Sequence, residues 1–366
     1  MPASTPDEDD RLHAVRARID EIDDRLLELI SERARVAQEV ARVKREAGNG
    51  DDFYRPEREV EVLRRLRALN PGPLSAERIA RLFREIMSAC LAIQHPLRVA
   101  YFGPAGTFTH EAALKQFGHA MDLAPLPSIE TVFRDVEAGD AQYGVVPVEN
   151  STEGVVTHTL DRFLSSPLQI VGELELRVRH CLLSQEADPS AIARVYSHQQ
   201  PLAQCRRWLE ANLPHADRIS VSSTAEAARI VGAEPGSGAI ASRVAAEIYG
   251  VKVLQAGIED EPGNTTRFLV MGRQSPPPTG EDKTSLVLSR TNQPGGLYQL
   301  LEPLARHGIN MSRIESRPSR QGMWEYVFFV DVLGHQQDEQ VARALEEIRA
   351  KASLCKILGS YPRAAT

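Results

Sequence analysis

The sequence predicts a three-part protein: an all-α block, a two-lobed α/β block, and a small α+β tail. Three observations predict it. Arg11 to Gln94 carries only helical periodicity, short strands and helices alternate from Leu97 on, and a Pro-containing stretch near 273–283 precedes a strand-helix-strand-strand-helix-strand order. A chain of 366 residues has room for two or three domains.

The elements follow in order. Met1 to Asp10 is small and acidic, unlike a signal or transit peptide, and reads as a disordered leader at 1–10. The helical block occupies 11–96. Leu12, Val15, Ile19, Ile22, Leu26, Ile30, Val36, Val40 and Val43 keep a helical period, and neither Pro nor Gly interrupts Arg11 to Ala47. Further helices are expected near Glu57 to Leu69 and from Ser75 through Ile93, separated by Asn70-Pro71-Gly72-Pro73. So long an apolar stripe is poorly covered by two shorter helices, and a second copy of the chain would cover it. The α/β block, 97–272, reads as mostly parallel strands in two lobes with a cleft between them. Residues 273–283, with Pro276-Pro277-Pro278, read as a semi-stiff linker. The tail, 284–361, has the order of a ferredoxin-like unit.

Composition excludes several classes of function. Hydrophobic residues make up 42% and charged residues 25%, ordinary for a soluble globular protein. A net charge of -7 argues against whole-surface nucleic-acid binding. No apolar run is long enough to span a bilayer. The four cysteines (Cys90, Cys181, Cys205, Cys355) form no CxxC pair, and the ten histidines form no HExxH. The expectation is a cytoplasmic protein without metal, cofactor or disulfide.

On the first helix, Arg33 and Lys44 are eleven residues apart and return to within about 20° of each other, roughly 16 Å along the axis. They can clamp a small dianion. Arg16 lies about 26 Å before Arg33 and about 100° away, too far to share that ligand on one straight helix. A site that uses Arg16 is therefore completed by another chain, which predicts a homodimer or higher homo-oligomer with shared sites.

Arg16, Arg33, Lys44, Arg58-Glu59 and Gln94 resemble the pattern of the all-helical chorismate mutases, over nearly all of Arg11 to Gln94. The resemblance implies an intertwined helical dimer in which the position of Arg16 serves the partner's site. It implies chorismate binding by Arg16, Arg33, Lys44, Arg55, Arg58, Glu59, Cys90 and Gln94, with Lys44, Glu59 and Gln94 catalytic. The rearrangement to prephenate is pericyclic and needs no acid, base or cofactor. The enzyme holds a dicarboxylate in a compact chair and stabilises charge on the breaking ether oxygen. Forked arginines suit the carboxylates. Lys44 and Gln94 would donate to the ether oxygen, and Glu59 would bind the ring hydroxyl or, if protonated, that same oxygen. Cys90 and Gln94, four apart, are expected on one helix face. Two positions depart from the pattern: Cys90 stands where the family often has Ser, and Arg55 where some members have an acid.

In the α/β block the informative strings are Gly103 to His110, Val146 to Gly154, Tyr196 to Cys205 and Glu259 to Phe268. Three of them follow a strand and precede a helix, where open α/β sheets bind ligands and free N–H groups suit carboxylates. Together and in this order they resemble prephenate dehydratase across Arg98 to Met271, with a two-lobed, periplasmic-binding-protein-like fold. The Thr266-Arg267-Phe268 triplet matches a family motif whose threonine is considered essential. The resemblance implies prephenate binding by Thr107, Asn150, Ser151, Ser197, His198, Thr266 and Arg267. The reaction expels carbon dioxide and hydroxide and forms an aromatic ring, so it needs carboxylate anchors and a donor to the leaving hydroxyl. Thr266 is the candidate donor. Arg267 either holds a carboxylate or forms a salt bridge beside its strand. Gln199 stands where the family usually has Pro.

The tail resembles the ACT domains fused to these dehydratases, through Gly295-Gly296-Leu297 and Glu315-Ser316-Arg317-Pro318, with Gly296 in place of the usual Ala. Such domains pair and bind phenylalanine at the interface, which implies L-phenylalanine as an allosteric inhibitor held by Gly295, Gly296, Leu297, Glu315, Ser316, Arg317 and Pro318. Two other readings stay open. A ligand-sensing regulator would need a helix-turn-helix with a basic recognition helix, and the first block has one very long helix instead. A mutase fused to prephenate dehydrogenase would need a nucleotide fingerprint, and Gly103-Pro-Ala-Gly106 is not one.

Overall fold

The computed structural model describes residues 6–47, 54–318 and 326–364. The chain divides into two compact units: 1–55, 66–96 and 118–121 form the first, and 56–65, 97–117 and 122–366 the second.

The first unit is built on α1 (Pro6–Glu46), the end of α2 (Pro56–Leu69), and α3 (Ala76–Ala92). The helix α1 runs 41 residues. It begins at Pro6, so 6–10 belongs to the helix rather than to a disordered leader, and the expected leader's Met1 to Thr5 lies outside the described residues. A proline in the opening turn costs no helical bond, and Asp9 and Asp10 suit the positive end of the dipole. The apolar stripe of α1 is open: Val15 is 59% exposed, Ile19 51% and Leu26 49%. Pro56 opens α2 and the Ser75 hydroxyl caps α3 by accepting from Arg78 N.

In the second unit β1 (Arg98–Phe102), α4 (Phe108–Phe117), β2 (Asp122–Leu126), α5 (Ile129–Ala138), β3 (Tyr143–Asn150), β4 (Gly154–Val155), α6 (Thr157–Ser165) and β5 (Gln169–Arg177) build one lobe. The chain then crosses to β6 (Cys181–Ser184), β7 (Arg194–Ser197), α7 (Gln199–Gln204), α8 (Arg206–Asn212), β8 (Asp217–Ser220), α9 (Thr224–Val231), β9 (Ser237–Ala241), α10 (Arg243–Tyr249) and β10 (Lys252–Ala256). It returns through β11 (Thr265–Gly272), which lies between β3 and β5. The lobe sheets have the orders β2-β1-β3-β11-β5 and β10-β6-β9-β7-β8. Both are mixed, not mostly parallel: β11 runs antiparallel to β3 and β5, and β6 antiparallel to β9 and β10. A strand that enters a lobe from its neighbour arrives from the opposite end, which explains the reversed pairs.

The tail follows as β12 (Asp282–Ser289), α11 (Gly296–Arg306), β13 (Met311–Pro318), β14 (Tyr326–Leu333), α12 (Glu339–Lys351) and β15 (Leu354–Pro362), in sheet order β13-β14-β12-β15. Alternation gives this sheet two buried faces. Leu286, Leu288, Val330 and Val332 pack under α11 and α12. Val287, Val327, Phe329, Leu358 and Tyr361 join the core of the first lobe. At Gly359 a Cβ would come within 2.2 Å of the Ile170 carbonyl oxygen, so this approach of β15 to β5 requires glycine. Residues 273–283 therefore do not tether a free domain. Ser275 donates to the Ser360 carbonyl at 3.0 Å, and Asp282 accepts from Thr279 N and Oγ1 at 2.7 Å each.

Candidate active sites

The cleft site grows from one cross-strand pair. In the β3–β11 register Thr266 lies opposite Asn150, and their side chains meet: Asn150 Nδ2 donates to Thr266 Oγ1 at 2.7 Å. The orientation of the amide is dictated by backbone. Asn150 Oδ1 accepts from Thr152 N and Glu153 N, 3.0 Å each, and an N–H can only donate, so the NH2 must face Thr266. With Oγ1 accepting from Asn150, the Thr266 hydroxyl proton is aimed elsewhere, and no acceptor among the described residues takes it. Thr266 itself is 8% exposed.

Three residues that sequence reasoning passed over extend the network. Asn150 Nδ2 also donates to Asn264 Oδ1 at 2.8 Å, Asn264 Nδ2 to Gln204 Oε1 at 3.4 Å, and His180 Nε2 lies 2.8 Å from that same oxygen. An amide oxygen only accepts, so the His180 proton sits on Nε2 and Nδ1 carries a lone pair. Burial pushes His180 below the ordinary histidine range, against the Gln204 hydrogen bond and the Glu259 charge. Asn264 and Gln204 lie inside the strings quoted from the sequence. Their signal was a side-chain amide beside a strand start and at a helix end. His180 had none, because its partner is 24 residues away.

The other expected cleft residues divide. Ser151 Oγ accepts from Thr265 N at 3.0 Å and lies 3.5 Å from Asn264 Oδ1, so it ties β3 to β11. Thr107 precedes α4 and donates to the Pro104 carbonyl at 3.0 Å, a local cap. Nearby Gly106, at φ +89°, has Ala245 Cα 3.2 Å from where a Cβ would stand, which brings this loop against the second lobe. Ser197 is fully buried and donates to the Ile240 carbonyl at 2.7 Å, so its proton is not open to a ligand. His198 is the N-cap of α7, its Nδ1 accepting from Gln200 N. Gln199 is then the first helical residue, the position where proline is at home, which explains why either residue fits there.

Arg267 is the clear correction. Strand alternation turns it away from Thr266 and the cleft. Its guanidinium contacts Asp331 Oδ2 at 2.7 Å, Glu173 Oε2 at 2.7 Å and Tyr361 Oη at 3.0 Å. Burial opposes its charge, but Tyr361, Asp331 and Glu173 more than offset this and hold its pKa above the ordinary arginine value. Of the two sequence readings, the salt bridge beside the strand is the one realised.

In the helical block, Arg33 and Lys44 share the unbroken α1, Arg33 half-buried and Arg16 exposed nearer the N-terminus. Arg55 is the N-cap of α2 and makes no side-chain cap bond. Arg58 pairs with Glu61 at 2.9 Å, and Glu59 is half-buried beside it on α2. Cys90 is 4% exposed on α3. Gln94 does not continue that helix face. α3 ends at Ala92, and Gln94 Nε2 turns back to donate to the Cys90 carbonyl at 3.0 Å. Pro96 biases the residues before it away from helix. A groove of about 780 Å³ lies along Arg35, Gln38, Arg42 and Ile93. It holds none of the matched residues.

In the tail, Gly295 caps α11 at φ 75°, with Gly296 buried behind it and Leu297 39% exposed. The row Ser289–Val327–Arg317 across the sheet puts the ends of β12 and β13 on one side. Glu315 to Pro318 does not form one patch. Ser316 and Pro318 are exposed, while Glu315 and Arg317 face the other way. Arg317 reaches Asp161 on α6 at 3.1 Å, so its guanidinium is drawn away from the expected phenylalanine site.

Known proteins match all three parts. Residues 15–95 match the family Chorismate mutase type II, 99–276 Prephenate dehydratase, and 284–350 the ACT domain. A bifunctional chorismate mutase/prephenate dehydratase of Stutzerimonas stutzeri is 55% identical over 361 residues, 98% of this chain and 99% of the relative. One from Pseudomonas aeruginosa is 54% identical, covering 97% and 98%. The solved prephenate dehydratase of Arthrobacter aurescens, in complex with L-Phe, is 37% identical with a TM-score of 0.68, over 73% of this chain and 90% of that one.

Proposed function

The chain belongs to the family of bifunctional chorismate mutase/prephenate dehydratases, and we propose that Thr266, oriented by Asn150, is the donor to the leaving hydroxyl in its dehydratase cleft. It rearranges chorismate to prephenate and converts prephenate to phenylpyruvate, with phenylalanine as feedback inhibitor. In the second step the bond from the ring to the carboxylate breaks, its electron pair enters the ring, and the bond to the ring hydroxyl breaks on the other side. Carbon dioxide and hydroxide depart, and the hydroxide takes its proton from solvent. A threonine hydroxyl is a weak acid, so Thr266 stabilises the departing oxygen by hydrogen bonding rather than protonating it early. The free direction of its proton carries this reading. Asn264, Gln204 and His180 hold Asn150 in place behind it.

The mutase acts as a homodimer in which Arg16 of one chain completes the site of Arg33, Lys44, Glu59 and Gln94 in the other. The open apolar stripe of α1 supports it, since a second copy would bury Val15, Ile19, Ile22 and Leu26. Gly295 to Leu297, with exposed Ser316 and Pro318, form the phenylalanine site at a pairing of two tails. The enzyme works in the cytoplasm, where its four described cysteines, all free, stay reduced. Incubation with chorismate, following prephenate and phenylpyruvate with and without phenylalanine, tests the whole scheme. Prephenate should accumulate when phenylalanine is added, and a chain that forms phenylpyruvate equally with and without it has no such sensor.

A further inference from the structure

The catalytic pair has a rear side, and the tail holds it. In the β3–β11 register the residues next to Asn150 and Thr266 are Glu149 and Arg267, themselves opposite one another. Alternation turns them to the other face of the sheet. There each meets the tail: Arg313 Nε on β13 reaches Glu149 Oε2 at 2.9 Å, and Arg267 Nη1 reaches Asp331 Oδ2 on β14 at 2.7 Å. Lys283 on β12 closes on Glu173 Oε1 at 2.7 Å, and Ser285 donates to Asp331 Oδ1 at 2.6 Å.

The cluster is balanced across the contact. The dehydratase lobe supplies Arg267, Glu149 and Glu173, one net negative charge, and the tail supplies Lys283, Arg313 and Asp331, one net positive. The Arg267, Glu173, Asp331, Lys283 and Arg313 side chains are at most 13% exposed. Little solvent is at hand to soften a lost partner. Nη2 of Arg313 is buried without a hydrogen-bond partner among the described residues, so a second arrangement of the cluster has a donor still to satisfy.

We propose that Glu149 and Arg267 are positioning residues through which the tail sets the Asn150–Thr266 pair, with Arg313 the handle on Glu149. A shift of β13 relative to β14 moves Arg313 against Asp331, displaces Glu149 and Arg267 unequally, and tilts the donor pair. Phenylalanine bound at the far end of β13 would act by that route. The inference rests on Thr266 being the dehydratase donor.

The test uses the full chain. Arg313→Met should lower dehydratase kcat about fivefold or more, with the KM for prephenate within about twofold, and should weaken phenylalanine inhibition while calorimetry still detects phenylalanine binding. Arg313→Lys should recover most of the kcat. Glu149→Gln, which keeps shape and removes charge, should reproduce the loss from the other side. Lys356→Met cuts a docking contact elsewhere, the cap on the Phe163, Leu164 and Ser166 carbonyls, and should leave kcat near wild type. Mutase activity is the internal control for folding. Equal kcat loss in the Arg313 and Lys356 variants, or unchanged kcat and inhibition in Arg313→Met and Glu149→Gln, overturns the proposal. A wild-type chain without dehydratase activity would instead defeat the assignment beneath it.

Discussion

On α1, Leu26, Leu27 and Leu29 are 49%, 65% and 60% exposed, whereas between the dehydratase lobe and the tail even the charged side chain of Arg267 is only 11% exposed. The two regions use their residues in opposite ways. The helical block leaves its apolar surface open and its cations spread along a rod, which is the basis for proposing that a second chain completes its site. The dehydratase cleft and the contact between its lobe and the tail are built within one chain, down to the orientation of single amides. A site of the first kind depends on protein concentration, and one of the second kind on internal geometry.

Three experiments press on that contrast. The largest effect is expected for Thr266→Ala, which should cut phenylpyruvate formation by about 10²–10³-fold or more and leave prephenate formation intact. Equal loss of both activities in a folded chain would remove Thr266 from its role. Next, Arg16→Ala and Lys44→Ala should each lower mutase activity about a hundredfold. Mixed after dissociation, the two should regain about a quarter of wild-type activity, because half of the dimers then carry one intact site. No recovery on mixing would mean that Arg16 serves its own chain. The smallest effect concerns acid. The folded pKa of His180 lies below its unfolded value, so the unfolded chain binds the proton first and stability falls as pH drops below about 6.5. Burial pushes Asp331 up, but Arg267, Ser285 and Arg313 outweigh it and hold its pKa below the ordinary value, so its contribution is lost only below about pH 3.8. Going from about pH 7.5 to about pH 5.5 should lower the melting temperature of the dehydratase unit by about 2–4 °C, with dehydratase activity failing before mutase activity. An unmoved transition over that range would place a charged His180 in the fold.

The same contrast explains what could be read from the chain. Periodicity sufficed for α1, for the alternation after Leu97 and for the tail, because each rests on a local repeat. It passed over α5 and β10, although Ser128 and Gly139 cap α5 as plainly as any helix in the chain. It predicts one helix over Pro201 to Asn212, whereas the structure has α7 and α8, which part at Cys205 where no Gly or Pro marks the break. A motif singles out Thr266 and Asn150 as candidates, yet their pairing depends on a register between residues 116 positions apart. Ser197 was drawn to the cleft by its neighbours and is instead bonded to Ile240. Arg267 failed for a plainer reason: adjacent residues of one strand face opposite ways, so a triplet cannot place both Thr266 and Arg267 on one ligand.

The two backbone donors that fix Asn150 also give the site a one-way character. Every hydrogen bond from Thr152 N and Glu153 N through Asn150 to Thr266 points toward the cleft, and none can be reversed without stranding a backbone N–H. Such a chain occupies one lone pair of the Thr266 oxygen and leaves its proton free to be given to another oxygen. An analogue with hydrogen in place of the leaving hydroxyl offers that proton no acceptor, and it should bind more weakly although its shape fits.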